Sequence, residues 1–237
     1  MVGSIVDLLL GVVKIVVGFV SHSQALIADG VHSFSDLATD ALVIVAARQA
    51  REGPDDEHPY GHGRIQTAAT VLLAVSLALV AIGIAWNSIS YLWSAEALPH
   101  SGYLALLAAA GSAVIKEGMY HYTVRSARRL QSNLLKANAW HHRSDAFSSL
   151  VVIAGVGGSI AGFPWADPLA AVVVAAMIIR VAWKIGREGY DELIDTGVSS
   201  NLAKRIGEEI RLVDGVAEMH QLRTRKMGSK ILSLIHI

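Results

Sequence analysis

The pattern His-x-x-Ser-Asp occurs twice, at His32–Asp36 and at His141–Asp145, each time inside a stretch otherwise apolar enough to cross a bilayer. On a helix, residues at i and i+4 lie one turn apart on the same face, so each copy sets an imidazole beside a carboxylate. Two such faces opposed offer two nitrogens and two oxygens, the four-coordinate set that Zn²⁺ accepts. Ionisable groups at membrane depth are costly and by default mark an ion pathway. The plainer reading of His32, Asp36, His141 and Asp145 is hydrogen bonding between helices, which polar membrane residues also do. Two matched pairs of ionisable groups would be an expensive way to achieve that, so the pattern points to a divalent metal crossing a membrane.

Other charged groups share these stretches. Asp29 and Asp40 fall on nearly the same stripe as His32 and Asp36, at offsets of three and four. They suit either attraction of cations and protons along a path or solvation at a helix end. Asp7 and Lys14 lie two turns apart, which suits an internal pair or a snorkelling lysine. In Asp55–His62, two histidines four apart stand beside three acids, and a bland role for that loop is an acidic cap on the helix that follows. His22, His100, His121 and His142 have no partner at ligand spacing and receive no role.

These residues need long apolar elements to position them, and the composition supplies them. The 237 residues are 53% hydrophobic and 17% charged, with mean hydropathy +0.45, a low charge content for a globular chain. Lys+Arg equals Asp+Glu at 20 each, so nothing global suggests nucleic acid. With no cysteine, disulfides and thiolate metal sites are excluded, leaving imidazole and carboxylate as ligands. No cleavable signal peptide stands out, because the first apolar run continues into a second.

Six candidate spans follow, at residues 2–20, 24–47, 65–93, 103–124, 137–161 and 166–183, near the roughly 20 residues that a hydrocarbon core of about 30 Å requires. Arg48, Arg51 and Arg64 follow the second span, Arg125, Arg128, Arg129 and Lys136 follow the fourth, and Lys184 and Arg187 close the sixth. The connections after spans one, three and five contain no Lys or Arg. The positive-inside rule therefore puts both termini in the cytoplasm.

After about residue 186 the pattern becomes soluble. Leu202, Ile206 and Ile210 recur at helical spacing with Ser199 or Ser200 as N-cap. Asp214-Gly215 reads as a turn, Val216–Arg225 as a strand, Gly228-Ser229 as a second turn and Lys230–Ile237 as a second strand. This α-β-β order is too small for an independent domain and is expected to be incomplete.

Taken together, Ser23–Asp36 (S-x-A-L-I-A-D-G-x-H-S-F-S-D), Asp55–Arg64 (D-D-E-H-P-Y-G-H-G-R), His141–Asp145 and His220–Arg225 (H-Q-L-R-T-R) resemble the cation diffusion facilitator family. The likeness runs from about residue 2 to the end and is strongest toward the family's bacterial zinc and iron exporters. It implies a six-helix transmembrane domain at 1–185, followed at 186–237 by the start of a ferredoxin-like cytoplasmic domain whose last α-β is lacking. It further implies a homodimer in a bacterial inner membrane, in contact with lipid and not nucleic acid, that exports metal in exchange for protons. By the same resemblance, Asp55, His58 and His62 form a second metal site in the cytoplasmic loop. His220 and His236 would bind metal in the cytoplasmic domain. Arg64 would pair with Asp195 across the dimer.

Zn²⁺ is the expected substrate, with Fe²⁺, Cd²⁺ and Co²⁺ sharing the same ligands. Two other function classes fit less well. A passive divalent-cation channel would want a ring of weak ligands rather than a closed tetrahedral set. An intramembrane metalloenzyme would need a general base and an open water position, and the chain has neither His-Glu-x-x-His nor a nucleophile motif. No enzymatic activity is expected.

Overall fold

A computed structural model describes residues 2–49, 53–93, 101–129, 133–228 and 230–236. Arg51, His100, Ser229 and Ile237, and the side chains of Asp40 and Lys136, lie outside the described set. Six long helices come first: α1 (Val2–Val20), α2 (Gln24–Gln49), α3 (Arg64–Trp93), α4 (Tyr103–Arg129), α5 (Asn133–Ile160) and α6 (Ala166–Leu193). A short α7 (Ser200–Arg211) and two strands, β1 (His220–Met227) and β2 (Lys230–His236), follow. Among the described residues, α3 and α6 are each long and apolar enough on their own to cross a membrane.

The helix ends have local causes. α1 stops where His22 takes φ 54°, with Ser23 N–H donating to Gly18 O at 2.9 Å. α5 stops at Gly162 (φ 100°), with Phe163 N–H on Gly158 O at 3.0 Å. α6 runs ten residues beyond its expected end, to a turn where Asp195 has φ 59° and Thr196 N–H reaches Asp191 O at 2.9 Å. All three are Schellman-type closures, in which one left-handed residue lets the next N–H satisfy an orphan carbonyl. α4 likewise continues to Arg129, because nothing in its charged last turns breaks a helix.

The chain clusters into two compact units that interleave along the sequence. The first comprises residues 1–38 and 77–180. Within it α4 packs on α5 and on α1, around a core that includes Leu26, Val152, Val156, Val174 and Ile178. Lys14, Lys116 and Asp29 are fully buried there, while Phe19, Leu79, Trp86, Leu107 and Val114 face outward. Charged groups inside and large apolar groups outside reverse the soluble pattern and suit a hydrocarbon surround.

The second unit comprises residues 39–76 and 181–237. In it, α6 meets α3 through Thr67 Oγ1–H on Glu192 Oε1 at 2.7 Å, and Glu192 Oε1 also accepts the Gly228 N–H at 2.5 Å. β1 and β2 form an antiparallel two-stranded sheet, in register from Arg223↔Leu234 to Met227↔Lys230, with an irregularity at Gln221 (φ 51°). The first strand thus starts later than expected: Val216–Met219 are not in a strand. Ser199 occupies the α7 N-cap position without a side-chain cap bond.

Candidate metal-transport site

The site is built on the first unit, from α2 and α5. Ser23 ends the α1–α2 turn and accepts the Leu26 N–H at 3.1 Å, the usual service of an N-cap serine. Asp167, in the first turn of α6, accepts Ser23 Oγ–H at 2.6 Å and Gln24 N–H at 2.7 Å, so a buried carboxylate from another helix fixes the start of α2. Farther along, a Cβ on Gly30 would fall 2.6 Å from Ile15 Cγ1 and 3.0 Å from its backbone nitrogen. Only glycine permits α1 to lie so close there.

Asp29 ties these helices together. Its Oδ2 lies 2.8 Å from Lys14 Nζ, and it accepts hydrogen bonds from Ser148 Oγ at 2.8 Å and Ser149 Oγ at 3.0 Å on α5. Lys14 also donates to Ser33 Oγ at 3.2 Å. Solvation at a helix end is therefore not the role of Asp29, which is fully buried. Nor do Asp7 and Lys14 pair with each other, because helix packing hands each a nearer partner: Lys14 takes Asp29, and Asp7 takes Lys116 on α4 at 2.6 Å.

On this frame the two His-x-x-Ser-Asp copies converge. Asp36 Oδ2 lies 4.0 Å from His32 Nε2 and 3.9 Å from His141 Nε2, and His141 Nε2 lies 3.8 Å from Asp145 Oδ2. One ligand atom each from His32, Asp36 and Asp145 fits within 4.8 Å of the others. These gaps exceed any hydrogen bond. They are a little wider than the roughly 3.3 Å ligand–ligand edge of a tetrahedron with arms of about 2.0–2.1 Å. Asp36 Oδ2 is buried and accepts no hydrogen bond among the described residues. A buried carboxylate oxygen without a donor calls for a partner, and a cation is the chemistry that suits it. His32, Asp36 and Asp145 are mostly shielded, whereas His141 is half exposed and forms the open side.

The second unit holds a second cluster. Asp55 Oδ1 accepts the backbone N–H of His58 at 2.5 Å and of Glu57 at 3.1 Å, an Asx-type turn. His58 Nδ1 lies 3.1 Å from Oδ1 and His62 Nε2 lies 3.4 Å from Oδ2, so all three side chains meet in one exposed loop. The His58 N–H holds the Asp55 carboxyl below the usual carboxylate range, keeping it anionic. The acids do not cap α3, whose first turn carries none. Arg64 and Asp195 pair within one chain, and Arg225 adds a contact of 3.2 Å to the other Asp195 oxygen. Within the chain, the αL turn after α6 aims Asp195 at the start of α3. His220 sits opposite His236 in the sheet, with its Nε2 2.9 Å from Glu218 Oε2.

Residues 1–194 match the cation efflux transmembrane domain. This chain belongs to the cation efflux, or cation diffusion facilitator, family. It is 40% identical to metal tolerance protein C1 of Arabidopsis thaliana, over 99% of this chain and 53% of that protein. It is 33% identical to an uncharacterised transporter of Methanocaldococcus jannaschii, over 98% of this chain and 81% of that one. It is also 29% identical to the manganese efflux system protein MneS of Bacillus subtilis, over 94% and 77% respectively. The chain thus spans about half the length of the plant relative.

Two residues of this cation efflux chain escaped the sequence reading. Lys116 is fully buried between Asp7 and Asp145, and Asp167 caps α2. Each had a visible signal: a lysine in an apolar run of α4, and an acid at the start of α6. Neither signal names a partner, because both partners come from distant helices.

Proposed function

We propose that the chain exports a divalent metal ion through the His32, Asp36, His141 and Asp145 site, exchanging it for protons, with Zn²⁺ as the favoured substrate. The observation that carries this reading is Asp36 Oδ2, buried without a donor and flanked by two imidazole nitrogens at 3.9 and 4.0 Å. Two imidazoles and two carboxylates suit zinc chemistry. Metal binding requires neutral imidazoles, and histidine changes charge in the physiological range, so protons from outside would expel the ion and its rebinding inside would release them. In this reading residues 1–185 form the six-span transport part and residues 186–237 begin a cytoplasmic part. The loop trio Asp55, His58 and His62 is a second, weaker metal site, and His220 with His236 belongs to the cytoplasmic metal-binding region. A homodimer is the assembly that the family resemblance supports.

The relative named for manganese efflux favours a second reading, in which Mn²⁺ is the substrate. Both are tested by reconstituting the protein in vesicles, imposing a pH gradient and following each ion in turn. Zn²⁺ movement driven by the gradient and lost in Asp36→Ala and Asp145→Ala is expected. Transport that survives either substitution removes the site assignment. Transport indifferent to the gradient favours a channel, and a preference for Mn²⁺ over Zn²⁺ selects the second reading.

A further inference from the structure

We propose that Lys116 is a tethered counter-cation of the transport site, covering Asp145 when no metal is bound and withdrawing onto Asp7 when a divalent ion arrives. The inference rests on the transport reading above and adds a residue that the repeated motif does not contain.

Lys116 Nζ donates a hydrogen bond to Asp145 Oδ2 at 2.7 Å. That oxygen is the one 3.8 Å from His141 Nε2, so ammonium and substrate claim the same ligand atom. A metal ion approaches a carboxylate oxygen to about 2.0–2.2 Å, and two cations held on one shielded oxygen repel strongly in a poorly screened interior. Something must give when the ion enters. Asp145 is fixed by its place on α5, whereas Lys116 carries a flexible four-carbon stem.

The structure also provides the place to which the ammonium can go. Asp7 Oδ1 lies 2.6 Å from Lys116 Nζ, as close as Asp145 does. The ammonium is thus shared between the two carboxylates. A small rotation of the lysine would keep its bond to Asp7 and free Asp145. Asp7 would be left paired, so no buried charge is stranded at any stage.

The charge count explains what such a device selects. Asp7, Asp36 and Asp145 supply three negative charges and Lys116 one positive charge, leaving two for an incoming ion when the imidazoles are neutral. One divalent cation balances them and a monovalent one does not. An ammonium already on Asp145 also sets a threshold that weakly bound ions fail to pass, and its return helps to eject the metal.

The test measures Zn²⁺ affinity by calorimetric titration of the purified full chain. The intramembrane class of binding is identified as the one lost in Asp145→Asn. Asp7→Asn removes the resting place, so Lys116 stays on Asp145 and Zn²⁺ binding at that class should weaken tenfold or more. Lys116→Met combined with Asp7→Asn removes the competitor with no change in net site charge, so binding should tighten tenfold or more while vesicle transport slows. Opposite shifts from the two ends of one ion pair are the signature. A static cross-link between α1, α4 and α5 would move both variants the same way or neither, and either result overturns the proposal. Should the double variant fail to fold, the equally charge-neutral pair Lys116→Gln with Asp7→Asn takes its place: tighter binding supports the proposal, and unchanged or weaker binding overturns it. If Asp145→Asn retains every class of Zn²⁺ binding, the transport-site reading itself falls, an outcome distinct from failure of the lysine's role.

Discussion

At the scale of single residues, what matters is which carboxylates are free to take a cation. Asp29 is saturated by Lys14, Ser148 and Ser149, and Asp167 by Ser23 and the start of α2. Asp36 retains a buried oxygen with no donor. The shielded acids of this unit therefore divide: Asp29 and Asp167 brace the frame, Asp7 pairs with Lys116, and Asp36 and Asp145 stand at the proposed ion site. Asp55, in the loop, differs because its environment is water and its partner is a backbone amide. A carboxyl whose folded value lies below its unfolded one stabilises the folded loop at all pH above the ordinary carboxylate range of about 3.9, and loses that contribution as pH falls through the lower, folded value. The Asx turn should therefore persist in mild acid. The amide proton of His58, which Asp55 holds at 2.5 Å, should report this in a nuclear magnetic resonance titration with a midpoint below about 3.9. A midpoint above that value would mean that the turn does not hold Asp55 ionised.

At the scale of elements, close helix approach sets where the ligands stand. A Cβ on Gly155 of α5 would lie 2.3 Å from Ala170 Cβ and 3.0 Å from Ala166 O on α6, so those helices touch through a gap that only glycine leaves. Gly155→Val should lower stability in detergent by about 1–3 kcal/mol, the usual cost of overpacking. Adding Ala170→Gly should recover part of the loss, although glycine within a helix itself costs roughly 1 kcal/mol. Thermal unfolding of the three proteins checks this, and a Gly155→Val variant that melts like the parent would contradict the α5–α6 contact. The helices themselves were legible in the sequence, because apolar length and turn residues such as Ser21-His22-Ser23 and Phe163-Pro164 are local signals. Their far ends were less so. α4 and α6 continue through charged turns that hydropathy alone ends too early. The repeated motif announced the four side chains that converge, since i and i+4 spacing is local as well. The partners of Lys14, Lys116 and Asp167 were hidden because each is chosen by packing between helices far apart in the chain, which no spacing encodes.

At the scale of the whole molecule, the question is how many of the six long helices cross the bilayer. Only α3 and α6 pass on length and apolarity alone among the described residues. α2, α4 and α5 carry buried charges that dilute their apolar character, and Asp29, Lys116 and Asp145 are satisfied by one another and by Lys14 and Asp7 of α1 rather than by water. Ionisable groups that pair inside a bundle are what a membrane tolerates, so all six are expected to span, with basic loops in the cytoplasm. The chain contains no cysteine, which makes single-cysteine labelling a direct test. Gly53, Arg129, Ala161 and Leu212 are all exposed and sit after α2, at the end of α4, after α5 and after α7 respectively. With six crossings, a membrane-impermeant maleimide applied to intact cells should label Ala161→Cys alone, while Gly53→Cys, Arg129→Cys and Leu212→Cys should react only after lysis. If only α3 and α6 crossed, Arg129 and Ala161 would lie on the same side, opposite to Gly53. Labelling of Arg129→Cys from outside would therefore reduce the bundle to two spans and place the transport site outside the bilayer.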